Sequence, residues 1–286
     1  MKQKRQGMTL IEILIVLGII ALLTGLLIPA LSVVKNTAKE AKQKAQFNAI
    51  DMALLNFKYD YGDYPPSAQE PFNSFYCGAQ KLTEALMGWD LLGFHPKSQF
   101  NADGKSDMGV FIYDSNSIDK RKGPYLESEH ANAFRLGDLF RDIAISNPDN
   151  IMWDNNVLCD VFKMTKVTLV NGQAATAGAP ILYYRANTSG KTMREIYNVN
   201  DNDPVIELKE IKDNMGHPLR AGPYPSPSLN LDEFFYGLED PFKTGYIQDP
   251  KITARPWPYR PDSYLLISAG ADGLYGTNDD IRNFGY

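Results

Sequence analysis

The sequence predicts an α+β protein: a single long N-terminal helix followed by a globular head built on antiparallel β-structure. Two observations predict it. An uninterrupted apolar run near the N-terminus passes directly into a helical repeat of apolar positions. Beyond residue 62, short runs rich in β-branched and aromatic residues alternate with Asn-, Asp-, Gly- and Pro-rich loops, with no second long apolar segment and no internal repeat.

The helix comes first. Residues 1–7, MKQKRQG, carry Lys2, Lys4 and Arg5, and Ile13 to Val34 contains no charged residue. Those residues rise about 1.5 Å each and cover roughly 33 Å, enough to cross a bilayer core of about 30 Å. The cations before the run predict a cytoplasmic N-terminus and an exported head. A secretory signal peptide would have a shorter apolar core and a clear small-x-small cleavage site, for which Ala30-Leu31-Ser32 is a weak match. A plain anchor explains length and flanks but not Glu12, since an unpartnered carboxylate in lipid costs about 3 kcal/mol. Pro29 predicts a kink or a loosened turn inside the span. Gly18 and Gly25 permit close helix approach.

The repeat continues beyond the span. Lys35 to Tyr61 has no Gly or Pro, and apolar residues recur at Val34, Ala38, Ala41, Ala45, Ala49, Ala53 and Phe57. Gly62 and Pro65-Pro66 stop the pattern. A helix over 8–61 would be roughly 80 Å long.

In the head, helices are expected at Lys81–Leu92, Phe134–Ile145 and Leu231–Leu238. Strands are expected at Gly109–Asp114, Phe162–Val170, Ile181–Ala186 and Ser263–Ser268, forming an antiparallel sheet packed on the long helix. Cys77 and Cys159 are the only cysteines. In an exported head they could form a disulfide or remain two buried thiols. The run Asn101 to Asp107 reads as an Asx-type turn.

Composition and motifs exclude several functions. Lys plus Arg is 29 against 34 Asp plus Glu, a net charge of −5, which lacks the basic footprint of a nucleic-acid binder. Mean hydropathy of −0.31 excludes a polytopic membrane protein. His95, His130 and His217 have no metal or triad spacing, and no P-loop, G-x-S-x-G or G-x-G-x-x-G is present. No catalytic constellation is expected. Trp257-Pro258-Tyr259-Arg260-Pro261 reads as a proline-rich loop packed over the sheet.

Gly7-Met8-Thr9-Leu10-Ile11-Glu12 resembles the prepilin signal of type IV pilins and of type II secretion pseudopilins. The resemblance implies cleavage by prepilin peptidase between Gly7 and Met8 and N-methylation of Met8. It also implies a role in assembly for Glu12, which would pair with a neighbouring protomer's N-terminal amine, and for Pro29, where the helix can melt as a filament forms. Tyr59 to Pro66, YDYGDYPP, resembles the segment that ends this helix in major pseudopilins. The last stretch, SAGADGLYGTNDDIRNFGY over 268–286, resembles the C-terminal calcium loop of major pseudopilins. Three carboxylates close together call for a cation or full solvation. The resemblance implies Ca²⁺ held by the side chains of Asp272, Asp279 and Asp280 and the carbonyls of Ala269 and Leu274.

The organisation implied is a leader (1–7), a long helix (8–61, with 13–34 transmembrane), and a pilin-like head (62–286) whose region 67–261 is enlarged and unassigned. Removing the leader leaves 26 basic and 34 acidic residues, net −8. The implied partners are other pseudopilin protomers, prepilin peptidase, an inner-membrane assembly platform and membrane lipid, with no nucleic acid. The implied place is the bacterial inner membrane, single-pass, with a periplasmic head. A large subunit capping the filament tip lacks the glutamate found here as Glu12. The alternative is a type IV pilin-like adhesin or uptake subunit that binds through its middle region.

Overall fold

The computed structural model describes residues 10–68, 76–106, 108–127, 131–146, 151–162, 165–169, 172–213, 235–237 and 245–285. The chain divides into two units between Ala41 and Lys42. Helix α1 runs from Leu10 to Tyr61, through Pro29, without a break. In the first unit its large apolar side chains face solvent, Leu10 at 81% exposure and Leu23 at 57%. Among the described residues, no helix is long and apolar enough to cross a membrane. The side chains of Leu26, Ile28, Pro29, Ala30 and Ser32, inside the expected span, lie outside the described set.

The second unit is built around a three-stranded antiparallel sheet, β5 (Leu182–Arg185), β6 (Tyr264–Ser268) and β7 (Ile281–Arg282), with β6 central. Leu182 faces Ile267 and Arg185 faces Tyr264 across the first pair, and Ser268 faces Ile281 across the second. Every residue of β6 is buried because both faces are covered. Alternation sends Tyr264 and Leu266 to one side and Leu265 and Ile267 to the other, each into its own apolar cluster.

The first side meets the C-terminal half of α1. Phe47, Ile50, Ala53, Leu54 and Phe57 recur every three or four residues and pack with Leu82 and Leu86 of α2 (Gly78–Met87). The Tyr264 hydroxyl donates to Asp51 Oδ1 at 2.6 Å, tying strand to helix. The start of α2 is seated on β5: a Cβ on Gly78 would lie 2.2 Å from the Tyr183 carbonyl oxygen, so only glycine fits.

Two smaller antiparallel pairs complete the described sheets. They are β1 (Ala133–Arg135) with β2 (Asn156–Leu158), and β3 (Thr165–Thr168) with β4 (Ala174–Ala177). Short helices α3 (Leu136–Leu139), α4 (Arg141–Ser146), α5 (Met193–Ile196) and α6 (Asp203–Asp213) lie between strands.

The antiparallel α+β expectation agrees with this architecture, and several details differ. Among the described residues the β-structure is three small sheets rather than one. The helix expected at Lys81–Leu92 lies at Gly78–Met87, because Gln80 Oε1 caps the Cys77 amide and Gly88, at φ +91°, ends it. Phe134–Ile145 is split into β1, α3 and α4, since Phe140 leaves helical geometry. Gly109–Asp114 forms no strand: Gly109 takes φ +71° and only the bridge Lys105–Phe111 remains. Of Leu231–Leu238, residues 231–234 and 238 lie outside the described residues. The Asx turn is present, with the Lys105 amide donating to Asp103 Oδ1 at 3.1 Å.

Cys77 and Cys159 stand as free, fully buried thiols in one apolar cluster, so the disulfide weighed above is not formed. Burial pushes the Cys77 thiol up to about 11 and that of Cys159 well above its ordinary value, which keeps both protonated and unreactive.

Candidate functional site

The N-terminus and the C-terminal loop carry the sequence-derived processing, assembly and metal candidates, and the structure adds a third place on α1. At the N-terminus, Gly7 and Met8 lie outside the described residues. Glu12 sits exposed in the first turn of α1, where a carboxylate complements the helix dipole. Pro29 is helical in backbone.

Farther along α1, opposite the buried face, Met52, Leu55 and Tyr59 are 62%, 50% and 89% exposed. Their spacing of three and four places them on one stripe. With Ala45 and Asn48 the stripe carries no charge.

The C-terminal loop joins β6 to β7, so pairing of Ser268 with Ile281 closes its ends. Asp279 organises the interior. Its Oδ2 accepts from the Ala271 and Asp272 amides at 2.5 and 2.9 Å, and its Oδ1 from the Thr277 hydroxyl at 2.5 Å. Burial works to raise this carboxyl, but the Thr277 hydroxyl and the two amides override it and hold it below the usual range. Asp280 Oδ2 accepts from the Gly276 amide at 2.8 Å and from the Tyr246 hydroxyl. Here desolvation wins, and Asp280 is pushed up to about 6. Asp272 Oδ1 takes the Leu274 amide at 2.8 Å, and the Leu274 carbonyl takes the Thr277 hydroxyl at 3.3 Å. Gly270, at φ +66°, is required: a Cβ there would lie 2.3 Å from the Asp279 carbonyl oxygen.

The loop thus brings Asp272, Asp279 and Asp280 into one hydrogen-bonded turn, with Ala269 buried at its base. The Thr277 hydroxyl lies 2.5 Å from Asp279 Oδ1 and 3.4 Å from Asp280 Oδ1, while Asp272 turns back to the Leu274 amide. Among the described residues, no group of three or more His, Cys, Asp or Glu is disposed to hold a metal ion.

Sequence reasoning missed the buried acids that hold the head together. Glu84, on α2, accepts from the Tyr76 hydroxyl, from Ser98 Oγ at 2.5 Å and from the Tyr113 hydroxyl at 2.7 Å. Burial raises its pKa despite these donors. Asp160 accepts from the Phe162 and Ala179 amides and from Ser268 Oγ at 3.1 Å, anchoring the C-terminal loop's first turn. Asp201 accepts from Ser67 Oγ at 2.5 Å, while its Oδ1 is buried with no hydrogen-bond partner among the described residues. Tyrosine abundance was the available signal for the first network; nothing local marked the other two.

Residues 2–28 match the family model of the prokaryotic N-terminal methylation motif. No curated protein and no solved structure matches the chain. The motif is typical of type IV pilin-like proteins, which are membrane-anchored and assemble into filaments with other pilin subunits. The chain therefore carries the N-terminus of a type IV pilin-like, prepilin-type protein.

Proposed function

We propose that the chain is a structural, non-catalytic subunit of a pseudopilus or pilus-like filament of a type II secretion system, supporting protein export. The observation that carries this reading is the methylation motif at 2–28 leading directly into α1. Prepilin peptidase cuts after Gly7 and methylates Met8. The uncharged run Ile13–Val34 holds the protomer in the inner membrane, with its head on the periplasmic side, until assembly. Transfer from lipid to a bundle of neighbouring helices then keeps those side chains out of water. The Met52–Leu55–Tyr59 stripe supports the same reading, since it extends an unpartnered apolar surface along the helix. The protomer is handled by the inner-membrane assembly platform and packs against other pseudopilins.

In a helix bundle Glu12 and a neighbour's methylated amine are both desolvated, and pairing them fixes axial register. Glu12→Ala is expected to abolish incorporation into filaments while leaving membrane insertion intact, measured by shearing and immunoblotting. Normal incorporation would refute the pairing.

Calcium at the C-terminal loop belongs to the same proposal and rests on the donor chemistry, three carboxylates with Asp280 half-desolvated, rather than on the arrangement described. A cation would draw Asp279 and Asp280 away from the loop amides. Adding Ca²⁺ is expected to raise the head's melting temperature by a few degrees and a chelator to reverse it, corresponding to roughly 1 kcal/mol. An unchanged melting temperature would remove calcium from the account.

One observation favours the second reading, an adhesin or uptake subunit. Within the enlarged middle region, Met108, Val110 and Phe111 form an exposed apolar turn, at 91%, 61% and 41% exposure. Impaired adhesion or uptake with intact secretion in Met108→Ser/Val110→Ser would select it.

A further inference from the structure

A cleft of about 620 Å³ lies between helices α3–α4 and strand β3. Its apolar lining comes from Leu139, Phe140 and Val167, each buried in the core cluster. The strand side matters most. The Leu169 amide donates to the Gln173 carbonyl at 2.9 Å, which makes that facing pair a hydrogen-bonded one. Facing pairs alternate along an antiparallel ladder, so Val167–Ala175 and Thr165–Ala177 are also hydrogen-bonded. Lys166–Thr176 and Thr168–Ala174 are then the non-bonded pairs. The amides and carbonyls of Lys166 and Thr168 accordingly point away from β4. Among the described residues, no backbone group bonds to them.

A strand edge without backbone partners among the described residues, beside an apolar cleft, is a template for another strand. We propose that the β3 edge binds an extended peptide segment of a partner protein by strand addition, with the Lys166 and Thr168 backbone groups pairing to it and one apolar side chain seated over Val167. Backbone chemistry selects this occupant: donors and acceptors repeating every second residue match an extended main chain. Four residues of β3 span about 13 Å, which sets the segment at four to six residues. This inference is independent of the filament assignment.

The test uses the full-length protein in detergent and a capped hexapeptide of alternating threonine and valine. Hydrogen exchange is read at single amides. The Lys166 and Thr168 amides are expected to exchange faster than Val167 in the free protein and to slow by about tenfold or more with peptide, while Val167 is unchanged. The same peptide N-methylated at alternate residues keeps its side chains but is expected to give no protection. Lys166→Pro, which removes an amide outside the β3–β4 ladder, is expected to abolish protection at Thr168. Equal protection by the N-methylated peptide, or none by either peptide, would overturn the proposal. So would Lys166 and Thr168 amides already as slow as Val167 in the free protein, or protected by raising protein concentration alone. The peptide arms use the unaltered protein, so they decide the question even if the proline variant misfolds.

Discussion

The two halves of α1 share one backbone geometry and opposite surroundings. Leu10, Leu14 and Leu23 are 81%, 63% and 57% exposed, whereas Ile50 and Leu54 are fully buried and Phe57 is 3% exposed. This helix is held in two ways. Its C-terminal half is fixed by the sheet and α2 of its own head. Its N-terminal half carries apolar surface whose burial must come from lipid or other chains, since water leaves about 25 cal/mol per Å² unrealised.

Substitution breaks that comparison most sharply. Leu54→Ala is expected to destabilise the head by about 2–5 kcal/mol, through lost burial and the cavity left behind. Leu14→Ala, the same chemical change, is expected to shift head stability by less than about 0.5 kcal/mol and to act on insertion or assembly instead. Urea unfolding of both variants in detergent measures the contrast. Comparable losses would mean that the first half also packs within its own chain.

A smaller effect sharpens the description of the head. Burial pushes Asp201 up to about 6, against a Ser67 hydroxyl that pulls it down. The unfolded carboxyl titrates near 3.8. The folded state therefore holds this proton between about pH 4 and 6 after the unfolded state has released it. That contribution is fully present below pH 4 and is lost as pH rises through 6. Asp201→Asn keeps an acceptor for Ser67 and is expected to reduce the fall in head stability between pH 4 and 6 by about 2 kcal/mol. Asp203 and Asp280 titrate in the same direction and leave a residual slope. A pH profile unchanged by the substitution would place Asp201 in a wetter setting than the structure gives it.

What could be read from the sequence followed the range of the signals. The long helix was readable because its period of three to four residues persists over dozens of positions and its stop is local, at Gly62 and the two prolines. The strands β5 and β6 were readable because dense runs of β-branched and aromatic residues need no distant partner to be recognised. The C-terminal turn was readable as acidic and glycine-rich, but not the direction of its carboxylates, which depends on loop amides and on Tyr246, distant in sequence. The single helix expected over Phe134–Ile145 failed because long-range pairing of Ala133–Arg135 with Asn156–Leu158 overrides local propensity. Glu84, Asp160 and Asp201 escaped notice for a related reason: their partners come from segments remote in the chain.

The central claim is that the first seven residues are a leader and that Met8 begins the mature chain. Mass spectrometry of the protein isolated from its native membrane tests this directly. The expected result is an N-terminal peptide starting at Met8 with one added methyl group on its α-amine. A chain retaining Met1, or one beginning after Ser32, would contradict it.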